Sequence, residues 1–184
     1  FGFNGGSALS AGGDAAMAIL ATHISAAAGA MTWMFYEWVK FGKPTALGSV
    51  TGMVAGLGTI TPASGFVGPA GALVIGIIAG AVCFNAVIMI KQKFKIDDSL
   101  DVFPVHGVGG ICGTILVGFF ASKELGIFSG QGGWSHEAIV ISDQLQIQLT
   151  AVVATAAYTA LATFVILKIV DVVTGLRVDS QTEN

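Results

Sequence analysis

One histidine lies in a stretch of the chain that has few other ionisable residues. His106 lies in DVFPVHGVGGICG, residues 101–113, which is otherwise almost entirely apolar. A neutral imidazole donates a hydrogen bond from one ring nitrogen and accepts one at the other, and it titrates close to physiological pH. An ionisable side chain at membrane depth is a functional candidate by default. His106 is therefore a candidate for binding a small polar solute or for relaying a proton.

The residues next to His106 favour a narrow site. Pro104 removes a backbone donor just before the histidine. The run HGVGGICG contains four glycines, which leave room for a close neighbour or a narrow lumen. The alternative is a histidine that packs between helices and bonds to a neighbouring hydroxyl. The residues alone leave both interpretations open.

The other histidines and the cysteines are weaker candidates. His23 is a second intramembrane histidine, at a position where a polar residue would be tolerated, and His136 lies in a polar loop beside Trp134. Cys83 and Cys112 sit in apolar runs without metal-ligand spacing, so we expect packing residues. The sequence predicts no metal site and no cofactor.

The composition is that of a helical membrane protein. Of the 184 residues, 54% are hydrophobic and 10% charged, and the mean hydropathy is +0.81. A soluble domain has about 25% charged residues. The 26 glycines suit close helix packing in lipid. A net charge of −3 gives no argument for a nucleic-acid partner.

Apolar runs divide the chain into one partial and five full membrane spans. The first piece, 1–11, is too short to cross a bilayer alone and is interpreted as the end of a helix whose beginning lies elsewhere. The full spans are expected at 14–39, 45–60, 71–90, 100–121 and 142–173. Glycines repeat every four residues in two of them, which predicts close helix contacts. These glycines are Gly48, Gly52 and Gly56, and Gly76 and Gly80.

Basic and aromatic residues predict the orientation. Trp33, Tyr36 and Trp38 suggest an aromatic belt at the membrane surface. Basic residues cluster after the first, third and fifth full spans, so the positive-inside rule puts those ends and the C-terminus in the cytoplasm. The fourth span then enters from the cytoplasm, with Asp101 as an acid at its start and His106 roughly 9 Å beyond Leu100. The basic residues are Lys40, Lys43, Lys91, Lys93, Lys95, Lys168 and Arg177.

Motifs along the whole chain resemble the second half of the ammonium transporters, with their methylamine permease and Rhesus relatives. The motifs are FGFNGGSA (1–8), TWMFYEW (32–38), GSVTGMVAGLGTITPASGFV (48–67), GALVIGIIAGAVC (71–83), DDSLDVFPVHGVGGICG (97–113) and VDVVTGLRV (170–178). The resemblance implies an all-α membrane protein. The chain would be the second inverted repeat of an eleven-helix fold, with five full transmembrane helices and the end of a sixth. It also implies a homotrimer in the plasma (cytoplasmic) membrane and a transport protein rather than an enzyme.

The resemblance also implies roles for individual residues. His106 looks like the second member of a pore-lining pair of histidines, whose first member lies on a helix outside this chain. Phe3 looks like one ring of a phenylalanine gate, and Ser7 like the hydroxyl of an outer recruitment site where aromatic faces attract ammonium. The alternatives are a packing role for Phe3 and an intrahelical bond for Ser7. Thr61 either lines the site or caps a helix end.

The function that follows is transport of ammonium or ammonia, or of methylammonium, through a hydrophobic histidine-lined pore. Expected partners are two further copies of the protein, the missing N-terminal half of the same protein, and a PII-type regulatory protein at the cytoplasmic segments KFGK and KQKFK. The alternatives are an ammonium sensor of the same fold and a structural membrane subunit.

Overall fold

The computed structural model describes residues 1–128 and 139–176, and the elements it forms there are helices. Phe1–Gln148 and Leu149–Asn184 are two compact units. His136, Trp134 and Arg177 lie outside the described residues. The α-helices are α1 (Gly2–Gly6), α2 (Gly13–Phe41), α3 (Ala46–Ile60), α4 (Pro69–Ile88), α5 (Gly109–Phe120) and α6 (Ile141–Thr174). A first π turn, Met89–Lys93, follows α4, a second π turn, Phe103–Val108, precedes α5, and a 3-10 helix occupies Lys123–Phe128.

Within the described residues, four helical segments have the length and apolar composition to cross a membrane. They are Gly13–Phe41, Pro69–Lys93, Phe103–Phe120 and Ile141–Thr174, while α3 is shorter at 15 residues. A bilayer core of about 30 Å needs roughly 20 helical residues. The all-α membrane architecture predicted from composition is therefore confirmed.

Helix α2 packs against α3 through backbone-to-backbone contacts. A β-carbon built at Gly52 would lie 2.7 Å from the Gly29 carbonyl oxygen, and one at Gly56 would collide with the Ser25 carbonyl. The Ser25 hydroxyl donates a hydrogen bond to the Gly56 carbonyl at 2.9 Å. Ser25 thus faces Gly56 and Gly29 faces Gly52, so α3 is antiparallel to α2. The predicted close face on the second span is confirmed at Gly52 and Gly56.

The same residues of α2 also contact α4. A β-carbon at Gly76 would meet the Ser25 carbonyl, and one at Gly80 would lie 2.9 Å from the Gly29 carbonyl oxygen. Ser25 faces Gly76 and Gly29 faces Gly80, so α4 is parallel to α2. The small residues of α3 and α4 thus meet α2 in two layers, one helical turn apart.

Trp33 does not belong to an aromatic belt, and that prediction was wrong. It is 4% exposed and packs edge-on against Phe84, with ring centroids 5.3 Å apart. Its β-carbon lies over Gly52, where the missing side chain leaves space. Trp38, by contrast, is 65% exposed, and its place in an aromatic belt stays a prediction.

Helix α5 packs against α3 and α4. A β-carbon at Gly113 would collide with the Thr59 carbonyl, and one at Gly109 would lie 3.0 Å from the Thr59 hydroxyl and 3.2 Å from the Cys83 sulfur. Cys83 is fully buried there as a free thiol, which agrees with the packing role expected from its apolar surroundings. Lys91, just after α4, contacts Asp101, whereas Cys83, earlier in the chain, faces Gly109. The segment from residue 103 onward is therefore antiparallel to α4.

Helix α6 runs for 34 residues from the first unit into the second, and no buried residue lies in it. Its exposed aliphatic side chains need either lipid or further protein around them. The expected length of the last span, greater than the roughly 20 residues needed to cross, is present here.

Candidate functional site

His106 sits in the second π turn, on the exposed side of its helix. Pro104 and Val105 in the same turn are buried, so the turn packs inward while the imidazole points away from the chain's own core. Single π turns within α-helices occur frequently at functional sites. The helical segment begins only three residues before His106, which puts the imidazole about 5 Å from its end rather than the 9 Å expected.

A short loop anchors the start of this turn. The Asp98 carboxylate accepts hydrogen bonds from the amides of Val102 at 2.9 Å and Phe103 at 2.8 Å. The Asp98 carboxylate therefore accepts hydrogen bonds from the amides at the helix start, which have no partner within the helix. This role was predicted for Asp101. Asp101 instead forms an ion pair with Lys91 at 2.7 Å.

Behind the second π turn lies a tightly packed small-residue contact. The Cys83 sulfur lies 4.0 Å from the Val105 carbonyl oxygen, and Gly109 faces Thr59 and Cys83. The Thr59 hydroxyl is fully buried beside the Cys83 thiol. The buried side of the turn is thus filled by protein, and a solute could reach His106 only from its exposed side.

Phe3 and Ser7 lie at the other end of the chain, on and just after α1. Phe3 is 75% exposed, which is not the environment of a packing aromatic within this chain. The exposed Ser7 hydroxyl donates to the Phe3 carbonyl at 2.9 Å, which is the intrahelical bond expected if Ser7 has no role in recruitment. Helix α1 is held on α2 by the buried Asn4 amide, which donates to the Thr22 hydroxyl at 2.9 Å.

Thr61 is half-buried at the C-terminal end of α3, and its hydroxyl donates to the Leu57 carbonyl at 2.8 Å. His23 is exposed, and its ring centroid lies 5.5 Å from that of Phe1. No side-chain hydrogen bond joins His106 to Phe3, Ser7 or Thr61 within the described part of the chain. The structure therefore presents these residues on separate elements.

Sequence reasoning missed a buried carboxylate at the turn between α2 and α3. Glu37 is 8% exposed and accepts hydrogen bonds from the Thr45 amide at 2.6 Å and the Thr45 hydroxyl at 3.1 Å. It borders an open cavity of about 220 Å³ that also reaches Lys91 and Asp101. A lone Glu before KFGKPT is typical of a surface charge, because nothing in the sequence marks which face of α2 is covered.

Comparison with known proteins gives a consistent result. The model of the Ammonium Transporter Family matches residues 1–184. The chain is 46% identical over 183 residues to the ammonium transporter Amt1 of Archaeoglobus fulgidus and 44% identical over 184 residues to the ammonium transporter of Bacillus subtilis. Each alignment covers 100% of this chain and 45% of the relative, so the chain spans less than half the length of these proteins.

Solved structures agree. The chain resembles the crystal structure of Saccharomyces cerevisiae Mep2 with a TM-score of 0.78 and 38% identity, covering 94% of this chain and 41% of that one. It resembles a structure described as a sensor Amt protein with a TM-score of 0.86 and 30% identity, covering 99% and 43%. The relatives are named as transporters, in agreement with the expectation of a transport protein rather than an enzyme. The match over its entire length and the membrane-spanning helices together place this chain in the ammonium transporter family, as an integral membrane protein.

Proposed function

We propose that the protein to which this chain belongs transports ammonium or ammonia across the plasma membrane, through a hydrophobic pore lined in part by His106. The observation that carries the proposal is the place of His106 in a chain of this family. It is an imidazole on the uncovered side of a membrane-length helix, with protein packed behind it. One imidazole offers both a donor and an acceptor, which suits a small polar solute that has shed its water.

The physical basis of selectivity is dehydration. A bare ammonium ion in a hydrophobic pore would carry the cost of a buried charge. Neutral ammonia needs only one or two hydrogen bonds, which an imidazole can provide. Potassium cannot lose a proton and would be excluded. Ammonium would therefore be deprotonated before the hydrophobic segment, with its proton passed on separately or returned.

Phe3 and Ser7 are proposed as gate and recruitment residues, and Thr61 as a pore-lining residue. The exposure of Phe3 leaves its ring available to a cation. Ser7 and Thr61 use their protons in intrahelical bonds, but a hydroxyl oxygen that donates can still accept. Ammonium is a donor only, so the two intrahelical bonds are compatible with contact to it.

Orientation and assembly belong to the same proposal. The end of α2 and the π turn after α4 border one cavity through Phe41 and Lys91, which supports the expectation that their basic flanks share one side. We place this side, with its KFGK and KQKFK segments, and the C-terminus in the cytoplasm, where a PII-type protein would dock. The missing N-terminal half would cover His106, and three copies would form the trimer.

A sensor is the second candidate. It rests on the likeness to the structure described as a sensor Amt protein, with a TM-score of 0.86 and 30% identity. A sensor would bind ammonium with little net movement. Binding without uptake by the unaltered full-length protein would decide for this candidate.

The test of the transport proposal is His106→Ala in the full-length protein, compared with His23→Ala as a matched control. Removing the imidazole leaves ammonia without a hydrogen bond in an apolar site, so uptake of labelled methylammonium should fall by about tenfold or more. His23→Ala should retain uptake, because His23 lies on α2 and its ring contact is with Phe1, away from the second π turn. Unchanged uptake in His106→Ala, with the protein present in the membrane at normal level, would favour the structural-subunit alternative.

A further inference from the structure

The two π turns found in residues 1–128 and 139–176 are joined by a charge pair. Lys91 lies in the first π turn, at the end of α4, and Asp101 lies two residues before the second π turn, which carries His106. Their side chains meet at 2.7 Å between the Lys91 Nζ and an Asp101 oxygen, the single ion pair among the described residues. The pair therefore connects the packed part of the bundle to the start of the histidine turn.

The backbone of Asp101 is held in an unusual conformation. Its φ is 55°, in the left-handed region that favours glycine and that aspartate tolerates better than most residues. The Asp101 carbonyl accepts the Val105 amide at 3.0 Å, one residue before His106. Asp101 thus pairs with Lys91 through its carboxylate, and its backbone carbonyl accepts the hydrogen bond that begins the histidine turn.

Asp98 fixes the same turn from the other side of the loop, through its bonds to the amides of Val102 and Phe103. Pro104 has no amide of its own to donate. The Val105 amide, which the Asp101 carbonyl accepts, is therefore the next backbone donor that can anchor the turn. These contacts, together with the burial of Pro104 and Val105, hold the start of the histidine turn in place.

We infer that Lys91 and Asp101 are positioning residues, whose ion pair sets the orientation of the π turn and so of the His106 imidazole. The inference rests on the proposed function of His106. Neither residue needs to touch the solute. A misplacement of about 1 Å at a working group can cost as much as a hundredfold in rate, and supporting residues prevent it.

The surroundings of the pair predict that its effect is local. The two side chains are 37% and 19% exposed and border the cavity of about 220 Å³, which Glu37 and Gln92 also line. Partly exposed ion pairs contribute little to global stability. Breaking the pair should therefore change transport while leaving thermal unfolding nearly unchanged, which a purely structural role would not do.

The test uses the full-length protein with Lys91→Gln, Asp101→Asn and the double variant. Two matched controls make the same chemical changes outside the pair: Lys123→Gln in the 3-10 helix and Asp97→Asn in the same loop. We expect methylammonium uptake to fall by about tenfold in each single variant. Because both remove one interaction, the double variant should be no worse than either single one. Lys91→Arg should restore most of the uptake, and the controls should match the unaltered protein.

Three results would overturn the inference. They are uptake that is unchanged in Lys91→Gln and Asp101→Asn, equal losses in the two control variants, or losses that follow a drop in the melting temperature. His106→Ala, measured alongside, separates this inference from the transport proposal. If His106→Ala abolishes uptake and the pair variants do not, the positioning role alone fails. If His106→Ala also has no effect, the proposed function fails with it.

Discussion

Glu37 has a structural role that its charge would not suggest. Its carboxylate accepts both the amide and the hydroxyl of Thr45, and Thr45 in turn accepts the Gly48 amide with its hydroxyl at 2.9 Å. Thr45 is the N-cap of α3, so the buried acid of α2 fixes the point at which the next helix begins. Gly48 leaves the space that the carboxylate occupies.

Replacing Glu37 with alanine should destabilise the protein. The change leaves the Thr45 amide without its acceptor, at a cost of about 1–3 kcal/mol. The melting temperature of the purified full-length protein in detergent should fall. Glu37→Gln keeps one carbonyl acceptor of the same size and should lose less. Equal melting temperatures for the two variants would contradict this account of Glu37.

At single residues the sequence was an incomplete guide. It singled out His106 as a candidate, because a lone ionisable group in an apolar span stands out, and the role of His106 stays a prediction. It placed Trp33 at the surface, although the residue faces Gly52, and it took Asp101 rather than Asp98 as the acid whose carboxylate serves the first amides of the histidine helix. Both errors have one physical cause. The identity of a residue does not determine which neighbour it faces when two positions a few residues apart have similar chemistry.

At the scale of helices, two layers of small residues hold the inner part of the bundle. Ser25 and Gly29 on α2 each contact one glycine of α3 and one of α4. Small residues at helix contacts bring backbones close together, which is the main source of helix association where lipid surrounds the protein. This part of the fold was predictable, because the four-residue glycine spacing is visible in the sequence.

Gly56→Ala and Gly58→Ala in α3 form a matched test of these layers. A β-carbon at Gly56 would strike the Ser25 carbonyl, whereas one at Gly58 would lie 3.7 Å from the Val105 carbonyl oxygen, an ordinary contact distance. Gly56→Ala should lower the melting temperature by forcing the helices apart, at a cost of about 1–3 kcal/mol. Gly58→Ala should be neutral or mildly stabilising, since alanine favours helix. If both substitutions are tolerated equally, the layers do not limit the packing.

The π turns were beyond prediction from sequence. Their hydrogen-bond pattern differs from that of an α-helix by one residue, and Met89–Lys93 and Phe103–Val108 have no common residue pattern. Pro104 signals a disturbance in the second turn, but proline also occurs in the first turn of ordinary helices. The turns follow from how the segments around Lys91 and Asp101 meet, which is tertiary information.

At the scale of the molecule, the chain leaves much apolar surface uncovered. No residue of α6 is buried, and Phe3 and His106 are exposed within their own unit. The chain spans 45% of the length of the relatives it matches. A pore between inverted repeats is a general design of transporters, with the pathway at the repeat interface. The residues proposed for the pathway are therefore residues that a second repeat would cover.

Residues 1–184 expressed alone should not support uptake. Co-expression with the preceding half of the same protein should restore it, because the pathway then has both sides. The measurement is methylammonium uptake in cells without other ammonium transporters, with the amount of chain in the membrane followed by immunoblot. A matched sample in which the second half carries His106→Ala should stay inactive. Uptake by residues 1–184 alone would contradict a pathway at the repeat interface.

The layers at Ser25 and Gly29 also govern how the protein can move. Where two helices touch through backbone atoms, no side chain can change its rotamer to accommodate a small sliding movement between them. Helices α2, α3 and α4 must therefore move together as one rigid body. Any opening or closing during a transport cycle would then arise as hinge motion in the segments between them and α5. We expect such a hinge in the loop of residues 94–101, which the Lys91–Asp101 ion pair and the Ile96 amide, donating to the Ile90 carbonyl at 3.1 Å, connect to the first π turn.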